Sequence, residues 1–301
     1  MLYYGRKVLL SIMEIFGGAV NPISLQKLLF LFTRQQPQAE RAYDFVPYKY
    51  GCFSFQANQD IATLCKYGYI DKDEHSIWLQ PSERHFSVDL NMFDSQIVFS
   101  LHDKFKDFSA DDLIRYTYKE YPFYAINSEV ASTHLSKDEL ERVKQLDKRK
   151  TLTENTLFTI GYEGLSLESY LIKLMAFGVI TLCDVRKNAY SQKYGFSKSQ
   201  LQGACTGVGI NYIHIPELGI DSNQRQALYS QKDYDLLFER YRNTTLKENE
   251  TYLNIIIEHL QSDKRVALTC FEHDPKQCHR TQIANRLMAF PNIKYNLKEI
   301  V

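Results

Sequence analysis

The sequence has little of what marks disordered, fibrous or membrane proteins. Its 301 residues include only 8 prolines and 13 glycines, so we expect few disordered stretches. No run approaches the roughly 18 apolar residues of a membrane span. The first residues also lack the uninterrupted apolar region of a signal peptide. These absences predict a globular cytoplasmic protein with no membrane partner.

Net charge is absent as well. The chain carries 36 basic and 36 acidic residues, so no overall field draws it to nucleic acid or to an anionic membrane. Any contact with a polyanion must come from a local patch. In the cytoplasm the six cysteines are expected to be reduced thiols rather than disulfides.

The first 80 residues have the pattern of a small helical module. Apolar residues recur at helical spacing in residues 3–16 and again from Leu25 to Phe32, where Pro22 and Ser24 open the helix and Ser24 can cap it. A third amphipathic helix ends at Gly68, and two short apolar arms around a charged turn predict a hairpin. Three helices closed by a hairpin predict a winged helix-turn-helix.

The charge of this module leaves its use open. Residues 1–80 hold eight basic and seven acidic residues, a net of +1, whereas strong DNA readers have a more basic face. One interpretation is nucleic-acid contact by polar residues of the third helix, Gln56, Asn58, Gln59 and Lys66. The other is partner binding, including a homodimer formed through this module.

The remaining chain divides near residue 150. Residues 81–150 are predicted to be a helical connector, with Ser109 as the cap of one helix. In residues 151–301, buried strand patterns alternate with helices of ten to fifteen residues, which favours a mainly parallel sheet. The predicted fold class is therefore α/β: a Rossmann-like domain preceded by a smaller, mostly helical winged-helix domain.

Polar and special residues follow the predicted strands. Because ligands bind at the carboxyl ends of strands in such sheets, these residues predict a site. They are Tyr162, Glu163 and Gly164, then Asp184 and Arg186, then Pro216, Glu217 and Gly219, and finally Cys270 and Glu272. Glu163, Asp184 or Glu272 could act as a general acid or base with His279. The other interpretation is structural, with Asp184 and Glu272 as ion-pair partners of Arg186 and Arg280.

The stretch "CFEHDPKQCHR" (270–280) allows three kinds of site. A metal clip would use Cys270, His273, Cys278 and His279, but their spacing lacks paired knuckles, so we predict no metal and no cofactor. Thiol chemistry would use Cys278, because a helix N-terminus beside His279 and Arg280 lowers a thiol pKa. An anion cradle at the same helix N-terminus would bind phosphate.

A basic segment could complete that cradle. Residues 186–198 carry four basic residues and no acid, interleaved with aromatic side chains, a pattern suited to bases and phosphates. We expect phosphate contacts from Tyr162, Gly164, Arg186, Lys187, Ser191 and Arg280. We expect nucleic-acid contacts from Lys193, Tyr194 and Lys198.

Four motifs resemble a known family. "TIGYEG", "CDVRKNAYSQKYGFSKSQL", "GINYIHIPELG" and "ALTCFEHDPKQCHR" follow one another as in the domain of unknown function 488 family. The resemblance covers roughly 157–290 and implies a shared site but no settled reaction. The residues it carries over are Gly161, Glu163, Gly164, Asp184, Arg186, Ser191, Leu218, Gly219, Cys270, Glu272, Cys278, His279 and Arg280. The N-terminal half resembles antitoxin-associated winged helices in "QKLLFLF" and "PYKYGCFS".

The hypothesis from the sequence is a nucleotide- or nucleic-acid-binding protein. It would be an enzyme, a hydrolase or transferase, that acts on a phosphate-containing substrate in nucleic-acid processing or bacterial defence. The alternative is a regulator without catalysis, in which the helical module binds DNA or a partner and the α/β domain senses a small ligand.

Overall fold

The structure is a computed structural model that describes residues 2–225, 228–290 and 294–301. It divides into two compact units, Met1–Leu146 and Asp147–Val301. Among the described residues, no helix combines the length and the apolar character that a membrane span needs.

The first unit is mostly helical, with short antiparallel strands. Its helices are α1 (Tyr4–Ile15), α2 (Pro22–Gln35), α3 (Phe55–Lys66), α4 (Met92–Phe105), α5 (Ala110–Glu120), α6 (Ala131–His134) and α7 (Lys137–Leu146). Its strands are β1 (Ala19–Val20), β2 (Val46–Tyr48), β3 (Gly51–Phe53), β4 (Ile70–Lys72) and β5 (Ile77–Leu79). Strands β1, β5 and β4 form one sheet in that order, and β2 pairs with β3 in a separate hairpin.

The residues that cap α2 and α5 can be compared with the caps predicted for these helices. The prediction that Ser24 caps α2 is wrong, because Asn21 precedes the first turn and its side chain accepts from the backbone of Ile23 and Ser24. Pro22 occupies the first helical position, where the missing N–H costs nothing. The predicted cap at Ser109 is confirmed, and Asp112 completes a capping box with it.

The segment 81–150 shares the core of the first unit. Ile97, Leu101 and Phe105 of α4 and Leu113 of α5 are buried in the same apolar cluster as Leu28 of α2. Burial of these side chains removes apolar surface from water, about 1.5–3 kcal/mol for each large one. Helices α4 and α5 are therefore part of the first unit rather than a separate connector.

The second unit is an α/β domain, and the predicted parallel sheet is confirmed. Its strands are β6 (Thr156–Gly161), β7 (Thr181–Asp184), β8 (Asn211–His214), β9 (Arg265–Cys270) and β10 (Asn296–Glu299). Its helices are α8 (Lys148–Thr151), α9 (Leu167–Ala176), α10 (Lys198–Gly207), α11 (Gln231–Asn243), α12 (Thr245–Glu248), α13 (Leu253–Ser262) and α14 (His279–Met288). The strand order is β10-β6-β9-β7-β8, and every pairing is parallel.

The parallel pairing brings the strand ends to one edge. Gly161 pairs with Cys270, and Asp184 pairs with both Thr269 and His214. Strands β6 and β9 are buried along their whole length, as expected of central strands in a parallel sheet. Their short apolar runs therefore position the polar residues that follow them.

Two glycines of the family motifs allow backbone segments to approach closely at this edge. A Cβ on Gly161 would lie 1.8 Å from the Glu272 carbonyl oxygen, and one on Gly219 would lie 2.1 Å from the Lys187 backbone nitrogen. Neither contact can be relieved by a side-chain rotation, because both partners are backbone atoms. The glycines therefore fix the loops after β6 and β8 against those after β9 and β7.

Gly161→Ala is expected to lower the free energy of unfolding by at least about 1–3 kcal/mol through overpacking. The control is Gly203→Ala in α10, where a Cβ meets nothing within 4 Å. Removing a helical glycine there should stabilise by roughly 0.5–1 kcal/mol. Chemical denaturation measures both, and an unchanged midpoint for Gly161→Ala would contradict the close approach.

Candidate active site

Two cysteines and a histidine converge at the end of β9. Cys270 is the last residue of β9, and Cys278 and His279 begin α14 after a loop that contains the short 3₁₀ turn Pro275–Gln277. All three side chains are buried, and their sulfur and Nδ1 atoms lie within 4.8 Å of one another. The loop between the cysteines therefore folds back on itself to form one cluster.

The hydrogen bonds of His279 fix its tautomer. Its Nε2 lies 2.8 Å from the Val185 carbonyl oxygen, which can only accept, so Nε2 carries a proton. Its Nδ1 lies 2.8 Å from Nη2 of Arg225, which can only donate, so Nδ1 carries a lone pair. That lone pair is 3.6 Å from Cys270 Sγ. His279 is thus oriented to take a proton from the Cys270 thiol.

An ion pair covers the cluster. Arg225, in the 3₁₀ turn Ser222–Arg225, pairs with Glu272. The second Glu272 oxygen, Oε2, lies 3.1 Å from Cys270 Sγ. A quarter of the Arg225 side chain is exposed, whereas only 1% of Cys270 is. Arg225 is therefore the charged group of the cluster that meets solvent.

The environment separates the two thiols by their pKa values. Burial opposes ionisation of Cys270, but the hydrogen bond with Cys278 and the proximity of His279 and Arg225 lower the pKa of Cys270 well below its usual value. Burial and the charge on Cys270 raise the pKa of Cys278. The expected lowering of the Cys278 pKa at the helix N-terminus is therefore wrong. Of the two thiols, Cys270 is the one whose ionisation the surroundings favour, and Cys278 hydrogen bonds to it.

Burial also raises the pKa of Glu272, and the charge on Cys270 adds to that effect. A carboxyl group that holds its proton longer is a suitable acid beside a thiolate. The structure thus places Glu272 in the cluster, as its position after β9 predicted. It pairs with Arg225 through its side chain and contacts Arg280 only through its carbonyl oxygen.

Asp184 and Arg186 form a buried frame beside the cluster. Arg186 Nε lies 2.8 Å from Asp184 Oδ1, and its Nη1 donates to the Tyr162 hydroxyl and the Phe196 carbonyl. Tyr212 also donates to Asp184 at 2.7 Å. These donors are used within the protein, which matches the structural interpretation of Asp184. The frame fixes Val185 between them, and so fixes the carbonyl that orients His279.

Arg280 is fully buried and supports the loop. Its guanidinium donates to the carbonyls of Glu272 and His273 and pairs with Glu299 at 2.8 Å. A side chain with no exposed surface has no reach to a phosphate outside the protein. In the structure Arg280 therefore holds the residue 272–273 backbone in place, and Arg225 is the arginine that faces outward.

The first motif also contributes to the loop. Glu163 is exposed, and its carboxylate accepts from the His273 backbone at 2.9 Å. Gly164 follows with a φ of +79°, a conformation that favours glycine. His273 is exposed and lies outside the cysteine–histidine cluster. The proposed four-residue metal clip therefore does not form.

The basic segment divides into an inner and an outer part. Lys193 donates to the Tyr162 carbonyl at 3.2 Å, and burial lowers its pKa. The Ser191 hydroxyl accepts from the Lys193 backbone. Tyr194 is half-buried. Lys193 and Ser191 therefore make hydrogen bonds within the protein, and Tyr194 is partly shielded from solvent.

The outer part lines an open groove of about 490 Å³. Lys187, Lys198, Tyr190 and His214 are among its walls. Both lysines are exposed, and 71% of Tyr190 is exposed. A phosphate or a base could reach these side chains without any rearrangement of the fold.

The third helix of the first unit presents its polar residues outward. Gln56, Asn58, Gln59 and Lys66 are all exposed on α3, whereas Ala57, Ile61 and Leu64 are buried. The amphipathic spacing of α3 thus identified which of its residues are exposed.

The cluster also has the donors of a metal site. Two cysteines and a histidine are common zinc ligands. Arg225 opposes this use, because it brings a positive charge next to His279 and Glu272. The geometry therefore fits an anionic Cys270 better than a bound cation.

Sequence reasoning missed two residues of the site. Cys270 appeared only as a strand-end residue and a metal-clip ligand, although its position at the end of a central strand could have identified it. Arg225 follows the loop after β8 in a segment with no motif, so only the folded structure brings it to His279 and Glu272.

Comparison with known proteins gives one result. Residues 166–287 match the family described as "Domain of unknown function DUF488", a description that names no activity. The match includes Asp184, Arg186, Cys270, Cys278 and His279. It supports the resemblance seen in the C-terminal motifs. Neither the curated proteins nor the solved structures gave a match.

Cys270 is expected to ionise well below the pH at which an ordinary thiol does, and the ultraviolet absorbance of thiolates, followed from neutral pH downward, measures this without reagent access. The signal should be lost in Cys270→Ser and kept in Cys65→Ser, since burial raises the pKa of Cys65. Because the folded-state pKa of Cys270 lies below its unfolded value, its ionisation stabilises the fold at high pH. That contribution falls as the pH drops through the folded-state pKa. A neutral-pH signal unchanged in Cys270→Ser would contradict this assignment.

Arg280→Ala is expected to destabilise the protein by about 3–5 kcal/mol, because Glu299 loses its buried partner and two carbonyls lose their donor. The control is Arg286→Ala on the same helix, whose pair with Glu250 is largely exposed and contributes less than about 1 kcal/mol. Denaturant unfolding compares the two variants. Equal effects would show that Arg280 is not a structural residue.

Proposed function

We propose that this protein is an enzyme that acts on a nucleotide or nucleic acid, with Cys270 as nucleophile and His279 as base. The observation that carries the proposal is the Cys270–His279 pair at the sheet edge, in which a backbone carbonyl orients the base. A nucleophile, a base and a group that orients the base are the parts of thiol-dependent catalysis.

The reaction would proceed in two steps. When Arg225 turns from His279 to the substrate phosphate, His279 Nδ1 becomes free to take the Cys270 proton. The thiolate then attacks phosphorus, forming an S–P bond while the P–O bond to the leaving group breaks. The His279 proton passes to the leaving oxygen. Water, deprotonated by His279, then attacks phosphorus and breaks the S–P bond, and the returned proton restores the Cys270 thiol. Arg225 would hold the phosphate oxygens, since an arginine binds them in a bidentate manner.

The charge of the neighbouring groove supports a phosphate-containing substrate. Lys187 and Lys198 line the groove with the exposed ring of Tyr190. Lys187 follows Arg186 and Val185, whose carbonyl accepts from His279. A polymer bound along the groove would place phosphates beside lysines and a base on the tyrosine.

The first unit supports nucleic acid as the substrate. Its helices α1, α2 and α3 with the β1-β5-β4 sheet support interpretation as a winged helix that carries an added β2–β3 hairpin between α2 and α3. In that interpretation α3 enters a groove with Gln56, Asn58, Gln59 and Lys66, and the β4–β5 hairpin is the wing. The near-neutral charge of the unit favours delivery of substrate over tight binding.

The test uses the whole protein with labelled single-stranded and duplex oligonucleotides and with free nucleotides. Turnover should be lost in Cys270→Ser and kept in Cys65→Ser, while oligonucleotide affinity changes little in either. The metal content of the wild type is measured in parallel. Turnover that survives in Cys270→Ser, or a stoichiometric bound metal, would contradict the nucleophile.

Binding is tested separately with Lys187→Ala and Lys198→Ala together. Each lost phosphate contact should lower the slope of log affinity against log salt by about one. Lys232→Ala, an exposed lysine of α11 outside the groove, is the control. An unchanged slope in the double variant would exclude the groove as the binding surface.

A further inference from the structure

Lys27 is a buried cation in the first unit with no described carboxylate partner. Only 1% of the residue is exposed, and its Nζ donates to the carbonyls of Tyr50 and Cys52, the latter at 3.2 Å. No acidic residue is among the groups that affect its ionisation, and burial lowers its pKa. Its donors therefore meet neutral acceptors, two carbonyls and the Cys52 side chain, and no described carboxylate balances its charge.

A cavity of about 300 Å³ reaches this lysine. Its walls come from α2, the β2–β3 hairpin, α3 and the β4–β5 hairpin, and they are mostly apolar. Among the side chains that form them are Ile23, Tyr48, Phe53, Ile61 and Ile77. This volume is at the lower end of small-molecule sites, which combine apolar walls with a few polar groups.

The charges around the opening favour an anion. Lys49 and Lys72 line the cavity with one acid, Asp73. Asp73 accepts from the backbone of His75 and Ser76, which holds its carboxylate within its own turn. Lys49 pairs with Glu129 at the surface. Lys27 is therefore a buried ammonium at the cavity that no described carboxylate compensates.

The surrounding fold leaves space for that ammonium. Gly51 has a φ of +89°, and a Cβ there would lie 2.5 Å from the Tyr118 ring and 3.1 Å from Lys27 Nζ. The motifs "QKLLFLF" and "PYKYGCFS" thus contact each other where Lys27 donates to the carbonyls of Tyr50 and Cys52. A neutral hydrogen-bond donor in place of Lys27 could connect α2 to this turn without the cost of several kcal/mol that burial of a charge carries.

We propose that this cavity binds a small organic anion, a carboxylate on an aromatic body. The carboxylate would accept from Lys27 Nζ in place of the Cys52 sulfur, which is a weak acceptor, and the ring would contact Tyr48, Phe53 and the isoleucines. An inorganic phosphate fits poorly, because mostly apolar walls cannot replace its hydration. The site is independent of Cys270. If α3 and the β4–β5 hairpin contact nucleic acid as proposed above, their shared cavity would make that contact responsive to the ligand.

The experiment is calorimetric titration of the whole protein with benzoate, phenylacetate and 3-phenylpropionate, each compared with the alcohol of the same carbon skeleton. At least one acid should bind, and its alcohol should bind at least about tenfold more weakly, a difference of roughly 1.4 kcal/mol. Equal binding of acid and alcohol, or no binding by any of the acids, would overturn the proposal.

Two variants locate the ligand. Lys27→Met should abolish the preference for acid, whereas Lys106→Met, at an exposed lysine outside the cavity, should keep it. Because Lys27→Met removes two hydrogen bonds, its folding is checked by circular dichroism. Asn58→Trp changes an exposed residue of the cavity and should block binding without disturbing the core. Acid binding that survives Asn58→Trp and remains selective in a folded Lys27→Met would place the ligand elsewhere and overturn the assignment.

Discussion

The chemistry of the second unit depends on the hydrogen bond from His279 Nε2 to the carbonyl oxygen of Val185. It fixes the imidazole with its lone pair toward Cys270, and it joins the start of α14 to the end of β7. The carbonyl is held in place because Asp184 and Arg186, on either side of it, form a buried pair. The orientation of His279 toward Cys270 is thus supplied by a backbone carbonyl and by a buried salt bridge.

The arginines of the site differ in burial, and their contacts differ accordingly. Arg186 and Arg280 are in the motifs, yet both use their donors to shape loops. Arg225 is outside any motif, yet it is partly exposed and contacts both His279 and Glu272. A motif residue can therefore shape a site by holding the backbone, while the partly exposed arginine comes from a less regular segment.

The sequence predicted the strands, their parallel pairing and the edge where polar residues gather. It could do so because a buried strand is recognised from its own run of apolar residues, without knowledge of its distant contacts. It predicted the exposed face of α3 for the same reason. It could not rank Cys270 above Cys278, since their pKa values depend on distances across a folded loop. It also could not show that Lys27 is buried without an acid, because helical spacing alone does not reveal which partners a lysine meets.

The most direct test of the account is the pH dependence of alkylation at each cysteine, followed by peptide mass spectrometry of the whole protein. For each thiol, the midpoint, which is the pH at which alkylation reaches half of its maximum rate, is compared, rather than the rate itself. This pH does not depend on how accessible each of the six thiols is. The account predicts that Cys270 has the lowest midpoint of the six and that Cys278 has a midpoint above the ordinary thiol range. A lower midpoint for Cys278 than for Cys270 would contradict it and would make Cys278 the nucleophile.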